Sequence, residues 1–141
     1  MNRSILVACV AASALLATGC ASLARRSQAE VSADIASGDK QRATDALCTA
    51  VAQNWLDLAE KALAAGADPN GRSSDHSLRV VFYGVANNRL DGVKLLYARG
   101  ADPVVALEEI PPSSSGFGDN TAVSYADLLK FRPMAEFLRN A

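Results

Sequence analysis

The chain has few of the side chains from which catalytic and metal sites are built. Its 141 residues include one histidine, His76, and three cysteines. Asp75 precedes His76 directly, but adjacency in sequence does not orient a catalytic triad. A zinc site needs several histidine or cysteine ligands together, and here they are scattered. The Gly-Phe-Gly segment at residues 116–118 lacks the strand and helix that surround a phosphate-binding loop. We therefore expect a protein that is not an enzyme and uses no cofactor or metal.

An excess of charge of one sign and a long apolar run are also absent. Fourteen basic and fifteen acidic side chains give a net charge of −1, which argues against nucleic acid as a partner. The apolar run at residues 5–17 is uncharged and short, whereas a membrane-spanning helix needs roughly 20 residues. It follows a short polar start containing Arg3. This arrangement predicts a cleaved export signal over residues 1–19.

The export signal ends in Ala17-Thr18-Gly19-Cys20. This motif resembles the lipobox of bacterial lipoproteins, although Ala17 stands where that family usually has leucine. The resemblance implies that Cys20 is acylated, as by palmitate, and becomes the first mature residue. Ala21, rather than aspartate, implies sorting to the inner leaflet of the outer membrane, facing the periplasm. The alternative is an ordinary signal peptide with an incidental cysteine.

The mature chain is expected to contain a tether at residues 20–28 and one small domain at 29–141. Cys48 would be the only thiol left besides the acylated one, so the fold must stand without an internal disulfide. Arg25 and Arg26 in the tether would either contact anionic headgroups or belong to a solvated linker.

An internal repeat organises the domain. Gly-Ala-Asp-Pro at positions 66–69 returns at positions 100–103, and the window 47–69 has ten identities when it is aligned with 81–103. Asn54 and Asn88 would reverse the chain between two helices, and Gly66 and Gly100 would follow the second helix in a left-handed conformation. Such a period predicts stacked helix–turn–helix units.

These residues resemble the ankyrin repeat over about residues 44–141. The resemblance implies an all-α solenoid of about three units, with a half-repeat cap at residues 31–39 and a terminal unit from Thr121. Pro133 would lie in the first turn of the last helix, whereas Lys130 replaces the expected turn glycine. At 45–48 and 79–82 the family's opening threonine and histidine are missing, which lowers the expected stability.

The resemblance also implies a binding surface on the first helices and the loop tips. The residues expected to bind a protein partner are Thr49, Arg72, Asp75, Arg79, Tyr83, Ala86, Phe117, Tyr125 and Leu128. In the alternative arrangement, Tyr83 and Tyr125 partly pack beneath the loops. The period breaks at residues 104–120, a loop without helical pattern that is either a contact loop or a floppy insertion.

The resulting hypothesis is a monomeric, lipid-anchored periplasmic protein that binds another protein. One specific version is an immunity or inhibitor protein against a toxic enzyme of the periplasm. Another is a stabiliser of an envelope enzyme. The alternative is a structural envelope lipoprotein without a specific ligand.

Overall fold

A computed structural model describes residues 26–75, 78–108 and 121–141, and these residues are all-α, as predicted. They form seven α-helices and one 3₁₀ helix: α1 (Gln28–Ala36), α2 (Lys40–Gln53), α3 (Leu56–Ala64), α4 (Val80–Ala86), α5 (Leu90–Ala98), the 3₁₀ helix (Pro103–Leu107), α6 (Ala122–Leu128) and α7 (Arg132–Asn140). None of these helices is long and apolar enough to cross a membrane. The proposed signal peptide, Cys20, His76 and Phe117 lie outside the described residues.

The helices stack in two rows. α2, α4 and α6 pack side by side in the first row, and α3 packs on α5 in the second. The last helix joins this second row through an edge-to-face contact between Tyr97 and Phe137, whose ring centroids are 5.3 Å apart. α1 packs on both α2 and α3 and so covers the N-terminal end of the stack.

The reversal between the two helices of each pair has the same geometry three times. Asn54, Asn88 and Lys130 are left-handed, with φ of 60°, 52° and 60°. After each, the next amide donates to the carbonyl five residues back, at 2.8, 2.7 and 2.9 Å. The left-handed conformations predicted for Asn54 and Asn88 are confirmed, and Lys130 adopts the same conformation despite its side chain.

Lys130→Gly is expected to raise the free energy of unfolding by about 0.5–1 kcal/mol. A left-handed conformation costs a residue with a Cβ roughly 1–2 kcal/mol, and glycine avoids this while losing more entropy on folding. Urea denaturation followed by circular dichroism measures the difference. Lys130→Ala is the matched control, because it removes the charge and keeps the Cβ. An equal gain in both variants would assign the effect to charge instead.

The ends of α3 and α5 also repeat. Gly66 and Gly100 have φ of 98° and 94°, as the sequence predicts. The amides that follow them donate to carbonyls five residues back at 3.0 and 2.9 Å. The carboxylates of Asp68 and Asp102 then accept from the amide two residues on, at 2.8 and 2.9 Å. Each bond closes the turn that directs the chain into the next loop.

At the N-terminus, folded structure begins slightly before the predicted domain start. Ser27 and Glu30 form a capping box that starts α1. Asp34 on α1 is buried and accepts hydrogen bonds from Arg26 and, at 2.9 and 2.6 Å, from Arg42. Burial alone would raise the pKa of Asp34, but the two guanidinium groups outweigh it and the pKa is lowered. Arg26, predicted to be part of the tether, is thus fixed to the cap.

Candidate functional site: the loop end of the stack

The connections after α3 and α5 meet the first row of helices at one end of the stack, here called the loop end (the described residues 65–75, 78–79 and 99–108). Each connection is held by a side chain that lies in the N-terminal half of a first-row helix or directly before that helix. Asp45 accepts from the Ser74 amide at 2.9 Å and from its hydroxyl. Arg79 donates to the Glu108 carboxylate at 2.8 and 2.7 Å. Asp45 and Arg79 occupy the same repeat position, at which the ankyrin resemblance would place a threonine. Each binds the connection that follows the second helix of its own pair.

The first connection closes as a short hairpin-like loop. Arg72 and Arg79 form an isolated antiparallel bridge. The Ser73 amide donates to the Leu78 carbonyl at 2.8 Å. From α2, the Gln41 side chain donates to the Arg72 carbonyl at 2.9 Å. The described part of this loop is therefore tied to the helix behind it.

Glu108 is the centre of a small ion cluster. Arg79 binds both of its carboxylate oxygens, and Arg72 contacts one of them at 3.1 Å. Arg79 also donates to the Asn70 carbonyl at 2.5 Å. The hydrogen bonds from Arg79 lower the pKa of Glu108. The bidentate pair joins the two connections, and all three side chains keep part of their surface in solvent.

Thr49 and Tyr83 are fully buried, so the expectation that they belong to an exposed binding surface on the first helices is wrong. The hairpin-like loop causes this: the Tyr83 hydroxyl donates to the Ser73 hydroxyl oxygen at 2.8 Å, and Ser73 is itself buried. The alternative arrangement, with tyrosine beneath the loops, is the observed one for Tyr83. Tyr125 is half-buried and contacts Phe82 edge to face, with centroids 5.2 Å apart.

The other predicted binding residues are divided between the two ends of the stack. Arg72 and Asp75 are exposed at the loop end and Arg79 is half-buried there. Ala86 is half-buried. Leu128 is exposed, but it ends α6 and lies beside the reversal at Lys130. Among these predicted residues, Arg72 and Arg79 come together around one feature, the ion cluster of Glu108.

Sequence reasoning missed two exposed aliphatic residues at the loop end. Val104 and Leu107 are 62 % and 61 % exposed and lie three positions apart on the 3₁₀ helix, where residues at that spacing share a side. The interval 104–120 was predicted to be a loop without helical pattern. That prediction is wrong for residues 104–107, which belong to the 3₁₀ helix. Asp102 caps the helix, Pro103 occupies its first turn and Ala106 is buried beneath it. The Asp102-Pro103 pair was the available signal.

The described residues offer no group of three or more side chains able to hold a metal ion. Cys48 is buried. Comparison with known proteins finds no matching family model, no matching curated protein and no matching solved structure. The candidate site is a surface at the loop end: an exposed aliphatic pair on a 3₁₀ helix that ends one residue before Glu108, with the arginines of the ion cluster beside it.

Proposed function

We propose that the chain is a short ankyrin-type repeat protein, held at the outer membrane by a lipid on Cys20, that binds another envelope protein through its loop end. The observation that carries this proposal is the geometry that recurs from one helix pair to the next. Left-handed reversals at Asn54 and Asn88, and glycine ends at Gly66 and Gly100, have the same hydrogen bonds. A regular stack of this kind presents its loops in a row for recognition.

The loop end has the composition of a recognition surface. Val104 and Leu107 supply an exposed apolar centre, and Arg72 and Glu108 supply a partly solvated polar border. Protein interfaces combine a desolvated apolar core with a polar rim in this way. The loops are tied to α2 and α4 by side-chain hydrogen bonds, so the surface is pre-organised.

An immunity or inhibitor protein for a toxic periplasmic enzyme, or a stabiliser of an envelope enzyme, fits this surface. Both roles need a small, rigid domain held on the periplasmic side of a membrane. The described residues contain no metal-binding cluster, and their one cysteine is buried in the core. The alternative role, a structural envelope lipoprotein, would leave the loop end without a specific partner.

Site-specific photo-crosslinking tests the proposed interface. A photoreactive amino acid replaces Leu107 in the full chain expressed in its native cells, and the crosslinked protein is identified by mass spectrometry. The matched control carries the same group at Leu128, which is also exposed but lies at the C-terminus of α6, away from the loop end. We expect a discrete crosslink at Leu107 and none at Leu128.

The identified partner is then purified and its affinity measured. Val104→Asp/Leu107→Asp should weaken binding at least about tenfold, equivalent to roughly 1.4 kcal/mol. Leu128→Asp/Leu129→Asp should leave the affinity unchanged. If neither site crosslinks to a protein, the structural envelope role is correct. Equal crosslinking at the two sites would contradict the assignment to the loop end.

A further inference from the structure

The end of the stack opposite the loops has its own chemical character. It consists of the three reversals and their neighbours, residues 54–57, 87–91 and 128–132, here called the reversal edge. Leu128 and Leu129 are 50 % and 39 % exposed on it, and they are followed by the exposed cations Lys130 and Arg132. Trp55 lies at the first reversal and is partly exposed. Exposed leucine, tryptophan and basic side chains together are typical of surfaces that contact lipid.

The reversal edge and the loop end are separated by the length of a helix. The first loop bonds to the N-terminal half of α2, at Gln41, Thr44 and Asp45. Trp55 lies beyond the C-terminus of the same helix, which ends at Gln53. The ten residues from Asp45 to Trp55 rise roughly 15 Å at about 1.5 Å per residue. A surface that touches one end therefore leaves the other end open.

The N-terminal tether meets the domain at the reversal edge. Gln28, the first residue of α1, lines a shallow depression together with Asn54, Trp55 and Leu56. Arg26 is fixed by the buried Asp34. The six residue-to-residue steps from position 20 to Arg26 span at most roughly 20 Å when fully extended. An acylated Cys20 would thus keep Trp55 close to the bilayer.

Charge at the reversal edge is mixed, with a small basic excess. Arg89, Lys130 and Arg132 are basic, whereas Asp57 and Asp91 are acidic. The nearby Asp127 is paired with Arg139. The basic side chains at the last reversal are adjacent to the two exposed leucines. Leucine side chains there can enter the interface while lysine and arginine reach phosphate groups.

We propose that the reversal edge lies against an anionic phospholipid surface, so that the loop end points away from the membrane. This inference rests on the lipid anchor of the proposed function. It fixes the orientation of the domain, with Trp55, Leu128 and Leu129 at the interface and Val104 and Leu107 facing the periplasm. The same orientation gives a role to each of the two sets of exposed large aliphatic residues that the described part of the chain has at opposite ends of the stack.

Trp55 is the only tryptophan in the chain, so its fluorescence reports the position of the edge directly. The full acylated chain is purified from membranes and reconstituted into vesicles of phosphatidylglycerol and brominated phosphatidylcholine. Brominated chains should remove roughly half of the Trp55 emission, because an interfacial indole lies at the level of the headgroups and upper acyl chains. The control, Trp55→Phe/Val104→Trp, moves the tryptophan to the loop end and should be barely quenched.

Flotation of the vesicles separates the two proposals. The lipid anchor is contradicted if the chain does not float with the vesicles. It is also contradicted if the Cys20→Ser variant floats as well as the wild-type chain. A chain that floats through Cys20 but shows no quenching of Trp55, or equal quenching at position 104, overturns the orientation alone. Protein crosslinks from Leu128 would also overturn it, because a protein would then occupy the edge. In Leu128→Ser/Leu129→Ser, flotation should persist and quenching of Trp55 should fall at least twofold.

Discussion

Replacing Tyr83 with alanine is expected to lower the free energy of unfolding by about 3–5 kcal/mol, the range for removing a large aromatic side chain from a core. Tyr83 is the largest of the fully buried side chains of the described residues. Its removal leaves a cavity beneath the first loop and deprives the buried Ser73 hydroxyl of its partner. Because the domain is small, this loss is a large part of its total stability.

Two matched variants separate packing from hydrogen bonding at this position. Tyr83→Phe keeps the ring and removes the bond to Ser73, so it should cost about 1 kcal/mol. Tyr125→Ala should cost less than Tyr83→Ala, because Tyr125 is only half-buried. Urea denaturation of the three variants measures the order. If Tyr83→Ala unfolds like the wild type and loses only partner binding, Tyr83 belongs to the binding surface after all.

Gly84→Ala is the second substitution with a large expected effect, because it overpacks the contact between helices. A Cβ at Gly84 would lie 2.5 Å from a methyl of Val93 and 3.0 Å from one of Val51. Both valines are fully buried, so relief requires movement of the packed helices. Overpacking costs roughly 1–3 kcal/mol, and the better helix propensity of alanine returns up to about 1 kcal/mol. The expected net loss in the free energy of unfolding, measured by urea denaturation, is about 1–2 kcal/mol.

A double variant tests whether the contact with Val93 is the cause. Val93→Ala removes the methyl that the new Cβ would meet. Gly84→Ala/Val93→Ala should therefore cost less than the sum of the two single variants, by about 1 kcal/mol. Gly92→Ala is the control within the same layer, because its Cβ would lie 3.2 Å from a single Val51 methyl. Additive losses would show that strain at Val93 is not responsible.

The sequence could predict the features that depend on local backbone conformation. Asn54 and Gly66 each need a left-handed conformation, and their copies Asn88 and Gly100 adopt it too, which confirms the helix–turn–helix unit. Pro133 lies in the first turn of α7, as predicted. These residues act on their immediate neighbours, so their types reveal the turn directly.

The sequence could not predict how the loops fold back on the helices. Tyr83 is buried because the connection containing Ser73 closes over it, which depends on a contact between separate segments. Asp45 and Arg79 are 34 residues apart, and so are their partners Ser74 and Glu108, but this spacing does not say that the side chains meet. Such bonds follow from tertiary packing, which residue spacing does not encode.

The unlike anchors of the two loops also bear on how the stack assembles. In a chain of similar units, a loop or helix can pack on the wrong unit, displaced by one repeat, because each helix pair presents nearly the same faces. Slippage by one unit would bring Asp45 to Glu108, two carboxylates, and would leave Arg79 without the pair that it makes now. The opposite charges of Asp45 and Arg79 at one repeat position therefore disfavour a packing shifted by one unit during folding.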